Sequence, residues 1–215
     1  MVYQATTSEP TLPPAVAGPA FLQDGTEVWV RPVQAGDRGL LREFVEVESP
    51  DPLDLRYLSA LRAVLISEAL PTPVPEERLC LVVLGDRGER VAVLGIGEYL
   101  RLDAAAGTAE VAFLVAGPFR GRGIATLLLA RLARAARSFG ILRFEARVRP
   151  ESPEISEVFR SSGLPGHADL PGGEPEVCIP LTPETGRASV RATPTGPGPL
   201  AGRLGSRPSV FRSRE

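Results

Sequence analysis

The run Arg120-Gly121-Arg122-Gly123-Ile124-Ala125 sets two arginines and two glycines just ahead of an apolar stripe at helical spacing, Leu127, Leu128, Leu132, Ala135 and Ala136. Glycines at a helix N-terminus let an anionic group approach backbone N–H donors that have no intrahelical partner, which is how a backbone holds a pyrophosphate. Upstream, Glu110 opens a stretch of alternating and then continuous apolar residues, Val111, Ala112, Phe113, Leu114 and Val115. An ammonium has no lone pair with which to attack, so a carboxylate that takes its proton, directly or through water, could activate an amine here. Alone, the loop fits an ordinary strand-to-helix turn and Glu110 fits a strand-end ion pair. Their succession as strand, loop and helix from Glu110 to Gly140 favours the ligand-binding alternative.

The order of these pieces narrows the ligand. A dinucleotide site wants G-x-G-x-x-G after its first strand with an acid about 20 residues on, and a P-loop wants G-x-x-x-x-G-K-[ST]. Neither fits, and the chain contains no lysine at all. R-x-x-G-x-A does fit, at Arg120 to Ala125, and with its preceding strand and following helix it resembles the acyl-CoA loop of the GNAT (GCN5-related N-acetyltransferase) superfamily. The resemblance runs from about Asp24 to Gly163. It includes V-R-P at Val30 to Pro32, L-L-R-E-F at Leu40 to Phe44, R-Y-L at Arg56 to Leu58, A-E-V-A-F at Ala109 to Phe113, and R-F-E-A at Arg143 to Ala146. These marks are most similar to the GNAT domains of bacterial Pat-type protein lysine acetyltransferases.

That resemblance implies an α/β fold: a mixed, mostly antiparallel sheet with helices on both faces and a parallel unit of fourth strand, third helix and fifth strand that binds acyl-CoA. It implies Glu110 as general base, and backbone groups of Ala112, Phe113, Leu114 and Val115 paired with the pantetheine amides where strands four and five splay. N–H groups from Arg120, Gly121, Arg122, Gly123, Ile124 and Ala125 would hold the pyrophosphate. Arg120 and Arg122 would add charge, and Thr126 a hydroxyl. Ser152 stands where the family commonly has a cofactor-binding asparagine, and no tyrosine follows Tyr99 to protonate the leaving thiolate. Acetyl-CoA is then the cosubstrate, no metal is needed, and the acceptor is a primary amine, with a protein lysine favoured. The alternative is a catalytically weak acyl-CoA-binding sensor or interaction module.

Composition sets the bounds. A length of 215 residues allows one domain of ordinary size plus tails. With 24 cationic against 26 acidic side chains, net charge −2, there is no general case for nucleic acid or an anionic membrane surface. Cys80 and Cys178 each lie in an apolar strand pattern and are expected as buried small hydrophobes. His167 lies in a Pro/Gly-rich stretch and is expected at the surface. No transmembrane run and no signal core are evident, so a cytoplasmic location is expected.

In chain order, residues 1–22 are expected as a flexible arm, 23–181 as the domain, and 182–215 as a flexible Pro/Gly/Arg-rich tail. Glu27 to Val33 reads as a strand, and a helix begins at Ala35-Gly36-Asp37 and breaks at Ser49-Pro50. A second helix spans about Asp54 to Leu70. There the resemblance places Arg56, Tyr57 and the following prolines beside the acceptor. Leu79 to Leu84 and Arg90 to Leu100 form a hairpin across Gly85-Asp86-Arg87-Gly88, with Gly95 and Gly97 marking a bend or close backbone approach. Strands follow near Thr108 and Ile141, then a helix capped by Ser152, then a last strand at Glu176 to Leu181. The Gly/Pro-rich stretch between Gly163 and Glu176 suggests a shortened C-terminal edge.

Overall fold

The computed structural model describes residues 12–48, 58, 74–88, 90–103, 105–147, 167–169 and 176–181. The expected helix at 54–70 (Leu58 excepted), the helix capped by Ser152, and the tail at 182–215 lie outside these residues. The described chain forms β1 (Gly18–Phe21), β2 (Glu27–Pro32), α1 (Arg38–Glu48), β3 (Arg78–Arg87), β4 (Arg90–Asp103), β5 (Thr108–Val115), α2 (Ile124–Ser138), β6 (Arg143–Arg147), β7 (His167–Asp169) and β8 (Glu176–Pro180). The strands make one sheet in the order β1-β2-β3-β4-β5-β6-β8-β7. Neighbours are antiparallel except β5 and β6, which run parallel across α2. This is the mixed α/β architecture expected.

The alternating strands bury side chains on both faces. On one face α2 lays Ile124, Leu127, Leu128, Leu129, Leu132 and Ala136 against Leu94, Tyr99, Val111 and Phe144. On the other, α1 contributes Leu41, Phe44 and Val45 against Val82, Leu84, Val93 and Ile96, with Leu58 in the same cluster. A short 3-10 turn, Ala35–Asp37, leads into α1. Asp37 is buried, accepts the Gln34 N–H at 2.8 Å, and takes both Nη atoms of Arg31 at 2.6 Å. The V-R-P arginine is thus a partner for a buried helix-entry acid, a charge-assisted pair that offsets the desolvation of both groups.

Three boundaries differ from expectation. Residues 18–21, expected in the flexible arm, form β1 against β2, with Val16, Ala20 and Leu22 buried. Arg131 of α2, itself buried, donates to the carbonyls of Val16 (3.2 Å) and Pro19 (3.0 Å), so a side chain from a distant helix holds the segment down by its backbone. Gly85-Asp86-Arg87, expected as a turn, continues β3, and the reversal is confined to the residues between Arg87 and Arg90. His167, expected in a turn, lies in β7 opposite Cys178 of β8, so a further strand closes the edge that looked shortened.

Candidate functional site

Strand β4 sets the position of the loop that follows β5. A bulge at Leu94 shifts the β3–β4 register, and the Leu94 carbonyl accepts the Ala116 N–H at 3.0 Å. Gly95 follows: a Cβ there would lie 2.7 Å from Ile124 Cγ2, the first residue of α2. At Gly97 a Cβ would lie 2.9 Å from the Phe113 ring. The two glycines let the N-terminus of α2 and the end of β5 rest directly on the sheet, the close approach that the sequence suggested.

From the end of β5 the chain makes a 3-10 turn, Gly117–Phe119, whose Gly117 N–H donates to Glu48 Oε2 at 2.6 Å. Gly121 and Gly123 then adopt φ of +72° and +89°, left-handed backbone that other residues enter only with strain. Leu127 N–H makes the first full-turn helical bond, to the Gly123 carbonyl at 2.9 Å. The N–H groups of Gly123 to Thr126 therefore precede the helical ladder and gather where the helix dipole favours an anion. Arg120 is exposed and its Nε donates to the Val115 carbonyl at 3.3 Å. Arg122 stacks its guanidinium 4.9 Å from the Phe119 ring centroid. The structure thus gathers Arg120 to Thr126 in one loop and helix start, with the geometry of an anion cradle.

Among the described residues the β5–β6 ladder has three rungs, Thr108 with Arg143, Ala109 with Phe144, and Glu110 with Glu145. Past Glu110, among the described residues, Ala112 to Val115 pair with β4 and make no rung with β6. Glu110 to Val115 spans roughly 17 Å of strand, about the reach of an extended pantetheine arm. Glu110 is half-buried and paired opposite Leu100, on the sheet face that carries α1. Ser152, expected at the cofactor, lies outside the described residues.

The sequence missed two groups beside this arrangement. Glu98 is buried on β4 opposite Ala112, and so shares the face of Glu110 as its diagonal neighbour, about 7–8 Å away in Cα spacing. Its charge helps burial to push the Cys80 thiol up, which makes Cys80 an inert core residue rather than a nucleophile. Alternation of G-E-Y between two apolar runs could have marked Glu98 as an inward acid. The other missed group is the β1–β2 turn, Leu22 to Thr26, where Asp24 pairs with Arg122 at 3.1 Å. Its Asp-Gly dipeptide is a hairpin signal. Cys178 is half-buried, and neither cysteine is in a disulfide. Among the described residues no group of three or more His, Cys, Asp or Glu is placed to hold a metal, and no helix is long and apolar enough to cross a membrane.

Comparison with known proteins bears on the family and the fold. The structure is similar to the GNAT domain of S. lividans PAT, at 26% identity and a TM-score of 0.63, covering 79% of this chain and 99% of that one. The fold is shared with a cAMP-binding acyltransferase from Mycobacterium smegmatis, at 21% identity and a TM-score of 0.55, covering 87% of this chain but 52% of that one. This chain therefore spans about half the length of the mycobacterial protein. A GNAT-family acetyltransferase from Staphylococcus aureus shares the fold at 12% identity and a TM-score of 0.53, covering 72% of this chain and 99% of that one. The family model for the acetyltransferase (GNAT) family matches residues 41–160, more than half of the chain. By this match and the structural likeness to the S. lividans domain, the chain belongs to the GNAT family of acetyl-CoA-dependent N-acetyltransferases and is Pat-like within it.

Proposed function

We propose that this domain transfers the acetyl group of acetyl-CoA to a primary amine by direct attack in a ternary complex, with Glu110 as general base and a protein lysine as the favoured acceptor. The observation that carries the proposal is the end of the β5–β6 ladder at Glu110. Among the described residues Glu110 stands at the last rung, and β5 runs on from it toward the proposed pyrophosphate loop. Pantetheine lying along Ala112 to Val115, with its pyrophosphate on Arg120 to Thr126, would bring the thioester to the Glu110 end.

Glu110 takes a proton from the acceptor ammonium, directly or through water. The freed nitrogen lone pair attacks the thioester carbonyl carbon, the C–N bond forms, the C–S bond breaks to release CoA as thiolate, and the nitrogen gives its second proton to water as it becomes an amide. Water protonates that thiolate, since no tyrosine follows Tyr99. Lysine is favoured because of the Pat-like resemblance, and the chain's own lack of lysine keeps self-modification at side chains out of any assay.

The test is release of free CoA with a panel of lysine-containing proteins and small amines, run beside calorimetric binding of acetyl-CoA. Glu110→Gln is expected to lower turnover by roughly 10²–10⁴-fold while CoA binding persists. Normal turnover in that variant removes the proposed base. A second interpretation, an acyl-CoA-responsive module with weak catalysis, is favoured by Ser152 at the asparagine position and by the missing tyrosine. Its expected outcome is tight acetyl-CoA binding without turnover across the panel.

A further inference from the structure

The β1–β2 turn reaches the glycine loop from 98 residues away in the chain. Gln23 N–H donates to the Arg122 carbonyl at 3.3 Å, and the Gln23 side chain lies 3.3 to 3.4 Å from where a Cβ on Gly123 would stand. Arg122 Nη1 donates to Asp24 Oδ2 at 3.1 Å. The other carboxylate oxygen, Oδ1, accepts the Thr26 N–H at 3.0 Å, so its own turn fixes the carboxylate in place. The Thr26 hydrogen bonds, with the Arg122 charge a smaller contributor, hold the Asp24 carboxyl below the usual carboxylate range. It is therefore ionised at any pH at which an amine is acetylated.

We propose that Asp24 sets the affinity of the acyl-CoA site: it occupies Arg122 in the free protein and thereby loosens the hold on acetyl-CoA and on product CoA alike. The inference rests on Arg120 to Thr126 being the pyrophosphate site. Arg122 is one of the two cations of that loop, yet its guanidinium is already paired with an acid and stacked on Phe119. A pyrophosphate carries more charge than one carboxylate and meets several backbone N–H groups at once, so it displaces Asp24. The displaced pair is subtracted from the binding free energy. Substrate and product share the pyrophosphate, so both lose by the same factor, and CoA leaves faster after each turnover.

The experiment is calorimetric titration of CoA and of acetyl-CoA into the full chain and into the variants Asp24→Asn, Arg122→Gln and the double variant, at two salt concentrations. Asparagine keeps an oxygen for the Thr26 N–H and removes only the charge. Asp24→Asn is expected to tighten both ligands by about 2–5-fold, the range of an exposed ion pair, with a steeper salt dependence. In the Arg122→Gln background the same change is expected to do nothing. Unchanged or weaker binding in Asp24→Asn overturns the inference, because Asp24 would then be inert or would aim Arg122 at the ligand. Equal tightening with and without Arg122 also overturns it, since the carboxylate would be repelling the ligand directly. A wild-type chain that binds no CoA overturns the pyrophosphate site itself, whereas a failure confined to Asp24→Asn leaves that site standing.

Discussion

Gly123 has two physical reasons to be glycine, and Gly121 has one. Both sit at positive φ, +89° and +72°, but a Cβ at Gly121 would meet nothing within 4 Å, whereas at Gly123 it would press on Gln23 at 3.3 Å. Alanine at either position carries about 1–2 kcal/mol of left-handed strain. Only at Gly123 does it also displace the turn that borders the anion cradle. Gly123→Ala is therefore expected to weaken CoA binding more than Gly121→Ala, with similar losses in denaturant unfolding. Calorimetry beside urea titration checks this, and equal binding losses would deny Gln23 a part in the site. At this scale the sequence was informative where backbone chemistry dictates residue type, as in the glycines of the loop. It marked Glu98 only by the alternation of G-E-Y, because the burial of that acid depends on β3, β4 and β5 lying side by side.

At the scale of elements, the helix that carries the site is seated by a strand rather than by its own cap, since the N-cap residue Gly123 offers no side chain to bond the first turn. Gly95 makes this possible, its missing Cβ leaving room for Ile124. Gly95→Val would place a branched side chain 2.7 Å or less from Ile124 Cγ2 and tilt the N-terminus of α2 away from β5. A loss of about 1–3 kcal/mol in unfolding free energy is expected from overpacking, together with weakened CoA binding while the chain is still folded. Retained binding in a destabilised variant would show that α2 is seated by other contacts. The long elements were legible because their apolar periodicity is their reason to form: β4, β5 and α2 lie where the sequence placed them, and β3 does so apart from its extension through Arg87. The short ones were not. β1 is four residues between Gly and Phe, and β7 is three; each exists because a neighbouring strand offers a hydrogen-bonding edge.

For the whole molecule, the start of the folded unit is the boundary most open to test. A domain beginning at Gln23, as the sequence suggested, would lack β1 and the buried side chains of Val16, Ala20 and Leu22. It would also lack the carbonyls that satisfy Arg131. Burial already brings Arg131 down to about 10, so it is still charged at neutral pH and needs those acceptors. A buried guanidinium stripped of its partners costs at least about 1–3 kcal/mol, and lost packing adds to that. The shortened chain is expected to unfold at clearly lower urea than the full one, and to bind CoA more weakly, because the Gln23-Asp24 turn no longer hangs from a strand. The two losses separate by substitution. Arg131→Met removes the stranded charge and keeps the bulk, so it should restore part of the stability of the shortened chain while destabilising the full one, where the guanidinium is hydrogen-bonded to the Val16 and Pro19 carbonyls. Its CoA affinity should stay low in the shortened chain, since the turn is not restored. Recovery of affinity along with stability would mean that β1 serves the fold alone and that the site needs nothing from the N-terminal strand.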